Sequence, residues 1–212
     1  MEDEGSSGSR NAHFEKLSFG DELMVSDEVV NAKLSKMSLA VAKDSGFFDI
    51  DLSLGDYFTW GKASGCDLLQ GKCQDLCDQS RSVSCDKTHR FRAKCEKLPL
   101  SDSCWIPQNM INCKSPNLKS SPVFSYGNES VCLETNPNVS SEIPGADCFK
   151  ISCNSDQTYF IDLPGGNNNV PLKCSHENQK LQLEEYTLEI TCAKFEIVCK
   201  DATPCQSDCH NK

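Results

Sequence analysis

His13-Phe14-Glu15-Lys16-Leu17-Ser18-Phe19-Gly20-Asp21-Glu22-Leu23-Met24 is the stretch on which the interpretation of this 212-residue chain turns. It opens on one of only four histidines, the others being His89, His176 and His210. A neutral imidazole is the commonest metal ligand and a frequent general base. Taken alone, however, a single histidine is more often a structural side chain than a ligand. A zinc-peptidase helix reads H-E-x-x-H, which places two imidazoles on one helical face beside a glutamate base. The only His-Glu pair, in His176-Glu177-Asn178-Gln179-Lys180, ends on a lysine and reads as a solvated turn. No Gly-x-Ser-x-Gly elbow and no glycine-rich phosphate loop occurs.

Working outward, Val30, Leu34, Met37 and Val41 follow at steps of four, three and four, a single helical stripe. Ser35 is a credible N-cap and Gly46 a natural stop, so a helix is expected over about 35–45, its stripe packed into a core. Upstream of His13 lies an acidic, Gly- and Ser-containing leader that reads as loop. It has neither the basic nor the apolar region of a secretory signal. One short helix and a turn bury little surface, so residues 1–27 are expected to be poorly ordered by themselves, with His13 and Met24 exposed.

All fifteen cysteines fall between Cys66 and Cys209. That density belongs to disulfide scaffolds in an oxidising compartment. No C-x-x-C pair of the kind zinc modules use is present. Asn128-Glu129-Ser130 and Asn138-Val139-Ser140 are glycosylation acceptors, with Asn128 and Asn138 as the candidate sites, and they agree with an extracellular or cell-surface location. The formal charge is −10, and residues 1–60 alone hold twelve acidic and five basic side chains. Such a balance argues against nucleic acid as a partner, since binding it needs a clustered basic patch. No apolar run approaches the ~20 residues of a membrane helix.

Residues 66–122 show no sustained period and read as loops and short elements stapled by disulfides; residues 127–146 read as a surface loop. Strand signals recur over Cys148–Cys153 and Thr158–Leu163, with a turn at 164–169. Tyr186, Leu188, Ile190 and Cys192 alternate, as do Phe195, Ile197 and Cys199, which predicts an antiparallel meander with one buried face.

The His13–Met24 segment resembles the third-ligand and Met-turn segment of the leishmanolysin family of zinc metallopeptidases. There a His followed by an aromatic residue, Glu and Lys supplies the third zinc ligand, and an (Asn/Asp)-Glu-Leu-Met run forms the turn beneath the metal. The likeness continues through Leu34–Phe48, similar to the helix after the Met-turn. It continues again through Tyr57-Phe58-Thr59-Trp60-Gly61-Lys62-Ala63-Ser64-Gly65-Cys66-Asp67, similar to the entry to the family's cysteine-rich C-terminal domain. Phe14 stands where the family usually has Trp.

The resemblance implies His13 as a zinc ligand and Met24 as the Met-turn residue, whose thioether forms an apolar floor rather than a ligand. Asp21 and Glu22 are either acceptors for the His13 ring or turn-formers. The implied fold is α+β: the end of a metzincin-type catalytic domain over 1–60, a disulfide-rich, mainly antiparallel-β and loop domain over 61–198, and the start of a cysteine-rich tail over 199–212. The implied function is zinc-dependent endoproteolysis of protein or peptide substrates, with cell adhesion. Because H-E-x-x-H is absent, the chain is expected to be a fragment, inactive alone, with no catalytic residue of its own and with the missing N-terminal half as a partner. The alternative is a non-catalytic, disulfide-rich extracellular binding or adhesion module.

Overall fold

The structure, a computed structural model, describes residues 1–8, 10–27, 29, 32–58, 60, 77, 81, 83–137, 145–165 and 171–199. They fall into two compact units, one of Met1–Ser80 with Cys95–Asn109, the other of Arg81–Lys94 with Met110–Lys212. Helices are few and short: α1 (Lys16–Phe19), α2 (Lys36–Asp44) and α3 (Phe195–Val198). The strands are β1 (Ser84–Cys85), β2 (Phe91–Lys97), β3 (Trp105–Asn112), β4 (Ser130–Pro137), β5 (Ala146–Cys153), β6 (Tyr159–Asp162), β7 (Leu172–Cys174), β8 (Lys180–Leu183) and β9 (Leu188–Thr191). They form a three-stranded sheet in the order β1-β2-β3 and a six-stranded sheet in the order β7-β6-β5-β4-β9-β8. All of the registered pairs are antiparallel.

The six-stranded sheet is organised by period-two burial. In β4, Val131 and Leu133 enter one apolar cluster with Phe149, Ile151, Ile161, Leu188 and Ile190. Cys132, between them, enters another with Cys113, Ala146 and Cys148. Five disulfides join described residues: Cys77–Cys95, Cys85–Cys132, Cys113–Cys148, Cys153–Cys199 and Cys174–Cys192. This is the disulfide-rich, mainly antiparallel-β structure the cysteine count predicts. Asp147 is buried against Arg92 and Tyr126 and accepts from Cys148 N–H, yet desolvation outweighs these partners and holds its carboxyl above the usual range.

Four expectations need correction. Residues 127–146 are not all surface loop: Ser130–Pro137 is an interior strand, with Ser130, Val131, Cys132 and Leu133 buried in succession on both faces. Residues 91–97 and 105–112, read as loops and short elements, form strands of seven and eight residues. Phe91, Ala93 and Cys95 carry the buried alternation of the first. Phe195–Val198 is helical rather than extended. Phe195, Val198 and Cys199 pack on the core, a spacing of three and four that a helix satisfies, while Ile197 faces outward.

The fourth correction concerns α2. Ser35 caps it, its hydroxyl accepting from Met37 N–H at 3.0 Å, and Gly46 follows the C-cap with φ +76°. Yet Leu34, Met37 and Val41 are exposed, not core. The face turned inward carries Ser38, drawn there by a hydrogen bond to Glu22. Val30, the remaining stripe position, lies outside the described residues, as do Gly61–Asp67, Asn138, Asn167–Asn169 and the tail beyond Cys199.

The described residues of 1–27 are packed more than expected, although Met24 is exposed as expected. They are folded, with Glu2, Leu17, Glu22 and Val25 buried and a web of backbone hydrogen bonds. The reason is a small cluster in which Leu17 meets Cys104 and Ile106, closed by Trp60 and Leu98. Trp60 donates its indole N–H to Leu17 C=O at 2.9 Å, and its ring lies on Gly20. A Cβ at Gly20 would stand 1.9 Å from the ring, and its φ of +37° already disfavours side chains. Gly20→Ala is therefore expected to destabilise this unit by about 2–4 kcal/mol, the sum of left-handed strain and overpacking. Denaturant unfolding followed by tryptophan fluorescence checks it; an unchanged midpoint would refute the close Trp60 contact.

Candidate functional site

Three backbone features assemble the site. Helix α1 ends at Gly20, whose N–H returns to Lys16 C=O at 2.9 Å. The chain then turns tightly, Val25 N–H donating to Glu22 C=O at 3.3 Å. That turn brings Met24 back to the start of the segment, where its C=O accepts from Phe14 N–H at 2.8 Å and Phe14 bridges Val25. Residues next to His13 and Met24, eleven positions apart in sequence, are thus hydrogen-bonded neighbours. Phe14 stacks on Phe19 with ring centroids 4.8 Å apart, so the aromatic side chain after His13 helps to wall the segment.

The turn is held from its far side as well. Leu23 N–H donates to Lys33 C=O, and Lys33 N–H donates to Asp21 C=O. Asp21 pairs with the Lys33 ammonium at 2.7 Å. Glu22 is fully buried and accepts from Ser35 N–H and the Ser38 hydroxyl, linking the turn to the first turn of α2. The contacts of Asp21 and Glu22 therefore go to Lys33, Ser35 and Ser38, the pattern of turn-formers.

His13 is half-buried, and its Nδ1 is buried without a hydrogen-bond partner. Glu15 Oε1, Asp21 Oδ1 and Glu22 Oε1 are buried and unpartnered too. Seven described residues hold such an atom, and four of them lie in this ten-residue segment. Buried polar atoms in folded proteins are nearly always paired, so a local concentration of orphans marks a functional site or one that receives a further partner. Burial holds the Glu15 carboxyl above its usual range, helped by the charges of Glu2, Asp102 and Asp3. Desolvation pulls the Lys16 ammonium below its usual range, against the opposing charge of Asp27.

An imidazole with an unpartnered buried ring nitrogen fits one place in a zinc donor set, whose catalytic form takes three protein ligands. Among the described residues, the group of three potential ligands that lies close together is Glu2, Asp3 and Glu15, whose donor atoms are within 4.8 Å of one another. It is an all-carboxylate set and does not include His13. Met24 is 44% exposed, more than an enclosed floor beneath a metal requires. Asn128 is exposed in the turn before β4, as a glycosylation acceptor must be; Asn138 lies outside the described residues.

A profile of the leishmanolysin family matches residues 1–109, just over half of the chain. The chain belongs to the leishmanolysin family. Members of this family are metallopeptidases that generally depend on zinc. A leishmanolysin-like peptidase of Drosophila melanogaster is 28% identical over 111 residues, 52% of this chain and 16% of that protein. A leishmanolysin homolog of Crithidia fasciculata is 34% identical over 108 residues, 50% of this chain and 16% of its own length. Leishmanolysin of Leishmania donovani is 33% identical over 75 residues, 35% of this chain and 12% of its own. The matched region thus spans about one-sixth or less of these curated relatives. No helix among the described residues is long and apolar enough to cross a membrane.

Two contributors escape sequence reasoning. Glu2 lies in a polar, glycine-containing leader, yet it is fully buried. Trp60 is legible as part of a motif, but nothing in the motif says that its indole N–H holds the end of α1.

Proposed function

We propose that this chain supplies the third-ligand and Met-turn part of a leishmanolysin-type zinc metalloendopeptidase. The proposal rests on the hydrogen bond between Phe14 and Met24, which joins the flanks of an unpartnered imidazole and a methionine turn. Residues 1–60 form the end of the catalytic domain and 61–198 a cysteine-rich domain, followed by a cysteine-containing segment over 199–212. His13 is one zinc ligand; Met24 lines the floor. Bound zinc would supply Lewis-acid polarisation and a more acidic water. The residues of this chain would orient the imidazole, wall the site with Phe14 and keep water from beneath it.

H-E-x-x-H does not occur in the 212 residues, so two ligands and the general base must come from another polypeptide segment. The chain alone is therefore inactive. The exposed apolar side chains support this assignment. Leu23, Met24, Met37, Val41, Phe47 and Phe48 are exposed within 26 positions, a surface suited to a covering domain. Protein or peptide substrates, an extracellular or cell-surface setting, cell adhesion and glycosylation at Asn128 and Asn138 complete the assignment. The dense disulfides support that setting.

Calorimetry with zinc on the oxidised chain tests the metal assignment. Weak 1:1 uptake that disappears in His13→Ala is expected, because one imidazole competes poorly with water. A sub-micromolar site lost in His13→Ala would contradict an incomplete donor set. Uptake indifferent to His13→Ala would contradict the ligand role.

A further inference from the structure

The side chain of Glu2 is fully buried, although it sits one residue from the first position of a polar leader. A carboxylate is costly to bury unless hydrogen bonds hold it there. Its Oε1 accepts from Glu4 N–H at 3.0 Å. Its Oε2 accepts from Lys16 N–H at 3.4 Å and from the Ser26 hydroxyl at 3.2 Å. Lys16 follows His13 by three residues, and Ser26 follows Met24 by two. One oxygen thus reaches the start of α1, just after the imidazole, and the segment that follows the methionine. The backbone joins in: Glu2 N–H donates to His13 C=O at 2.9 Å, and Glu2 C=O accepts from Asn11 N–H at 2.7 Å.

Packing alone does not account for this placement. The donor atoms of Glu2, Asp3 and Glu15 lie within 4.8 Å of one another, so a third like charge is held where repulsion opposes it. An apolar side chain would fill the same volume without that repulsion, but could not accept from Lys16 and Ser26. The chemistry required at position 2 is that of a paired acceptor reaching two segments.

We propose that Glu2 is a positioning residue for the metal site, clasping the His13 and Met24 segments in their mutual register. It acts through Lys16, Ser26 and the His13 carbonyl. This rests on the metallopeptidase assignment for its purpose, but the clasp itself is testable without metal.

The full oxidised chain is compared as wild type, Glu2→Ala, Glu2→Gln and the exposed control Asp49→Asn. Hydrogen exchange is read over residues 14–26 and over α2, with the His13 ring and Met24 methyl signals followed by NMR. Glu2→Ala is expected to raise exchange over 14–26 about tenfold or more, with α2 unchanged, and to collapse the Met24 methyl shift toward its unstructured value. Glu2→Gln retains an acceptor oxygen and should recover most of the protection; Asp49→Asn should match wild type. Should Glu2→Ala not fold, the His13 and Met24 signals of Glu2→Gln decide, with values intermediate between wild type and unstructured expected.

Unchanged exchange over 14–26 in Glu2→Ala would overturn the proposal. So would equal loosening of α2, which would make Glu2 a general stabiliser, or failure of Glu2→Gln to recover any protection. Zinc is then added to each variant. A His13 response weakened tenfold or more in Glu2→Ala is expected, in line with the effect of groups that orient metal ligands. If the wild-type His13 ring ignores zinc, the metallopeptidase assignment fails while the metal-free comparison still decides the clasp.

Discussion

Reduction of the disulfides will unfold the six-stranded sheet and leave helix α2 largely in place. Four of the five disulfides between described residues lie in the unit that holds this sheet, and they close sequence separations of 47, 35, 46 and 18 residues. Each is worth about 2–5 kcal/mol in a small extracellular domain. Their sum matches or exceeds the ~5–15 kcal/mol by which a whole domain is stable. The cysteines are also core: Cys113, Cys132 and Cys148 are wholly buried and form most of one apolar cluster. Reduction thus loosens packing as well as topology. Helix α2 contains no cysteine and is held by the Ser35 cap and by Glu22.

Hydrogen exchange with and without reductant, after a brief denaturant pulse to admit it, measures the difference. Protection should vanish over β4, β5 and β9 and persist over Lys36–Asp44. Retained protection in β4 and β5 after complete reduction would show that the apolar cluster alone suffices. Alkylation adds a second check. Eleven described cysteines are disulfide-bonded and bridges take cysteines in pairs, so no more than three of the fifteen should react under denaturing, non-reducing conditions. Four or more would contradict the pairing.

The parts of the fold that can be read from sequence are those in which local chemistry and tertiary demand agree. Ser35 and Gly46 bound α2 because cap and stop are local properties. The strands around Cys148–Cys153 and Thr158–Leu163 announce themselves by alternation, buried Phe149 and Ile151 against exposed Lys150 and Ser152, and buried Tyr159 and Ile161 against half-buried Phe160 and Asp162. Ser130–Pro137 does not, because Ser130, Val131, Cys132 and Leu133 are buried in succession, Cys132 on one face and Val131 and Leu133 on the other. Phe195–Val198 misleads for the opposite reason: a four-residue segment fits periods of two and of three to four equally well. His13 and Met24 stand out in the sequence because they belong to a spaced motif, and the structure joins their flanks through the Phe14–Met24 hydrogen bond. Glu2 does not stand out, because its burial is imposed by Lys16 and Ser26, neither of which has a pattern linking it to residue 2.

A separate polypeptide carrying the H-E-x-x-H segment of a leishmanolysin relative is expected to bind this chain and to generate zinc-dependent proteolysis that neither part shows alone. The requirement is set by ligand number. One imidazole leaves zinc mostly to water, whereas three fixed ligands hold it and leave a fourth position for the reacting water. The apolar surface between Leu23 and Phe58 supplies the means of association. Phe47 is 86% exposed and Leu54 81%, values that a side chain of this kind keeps at a free edge rather than in an interface. Covering these residues together with Met37 and Val41 removes apolar area worth ~25 cal/mol per Å². Association should therefore protect Met24 and the outer face of α2 from exchange before any catalytic readout. Activity should rise from undetectable to measurable with zinc, fall with a chelator, and be absent when His13→Ala replaces the wild-type chain. Met24→Ala should reduce it without abolishing it, because the thioether supports the site but does not ligate. Binding with full protection but no zinc-dependent cleavage would leave the chain as a non-catalytic relative. Cleavage that survives His13→Ala would remove the imidazole from the mechanism altogether.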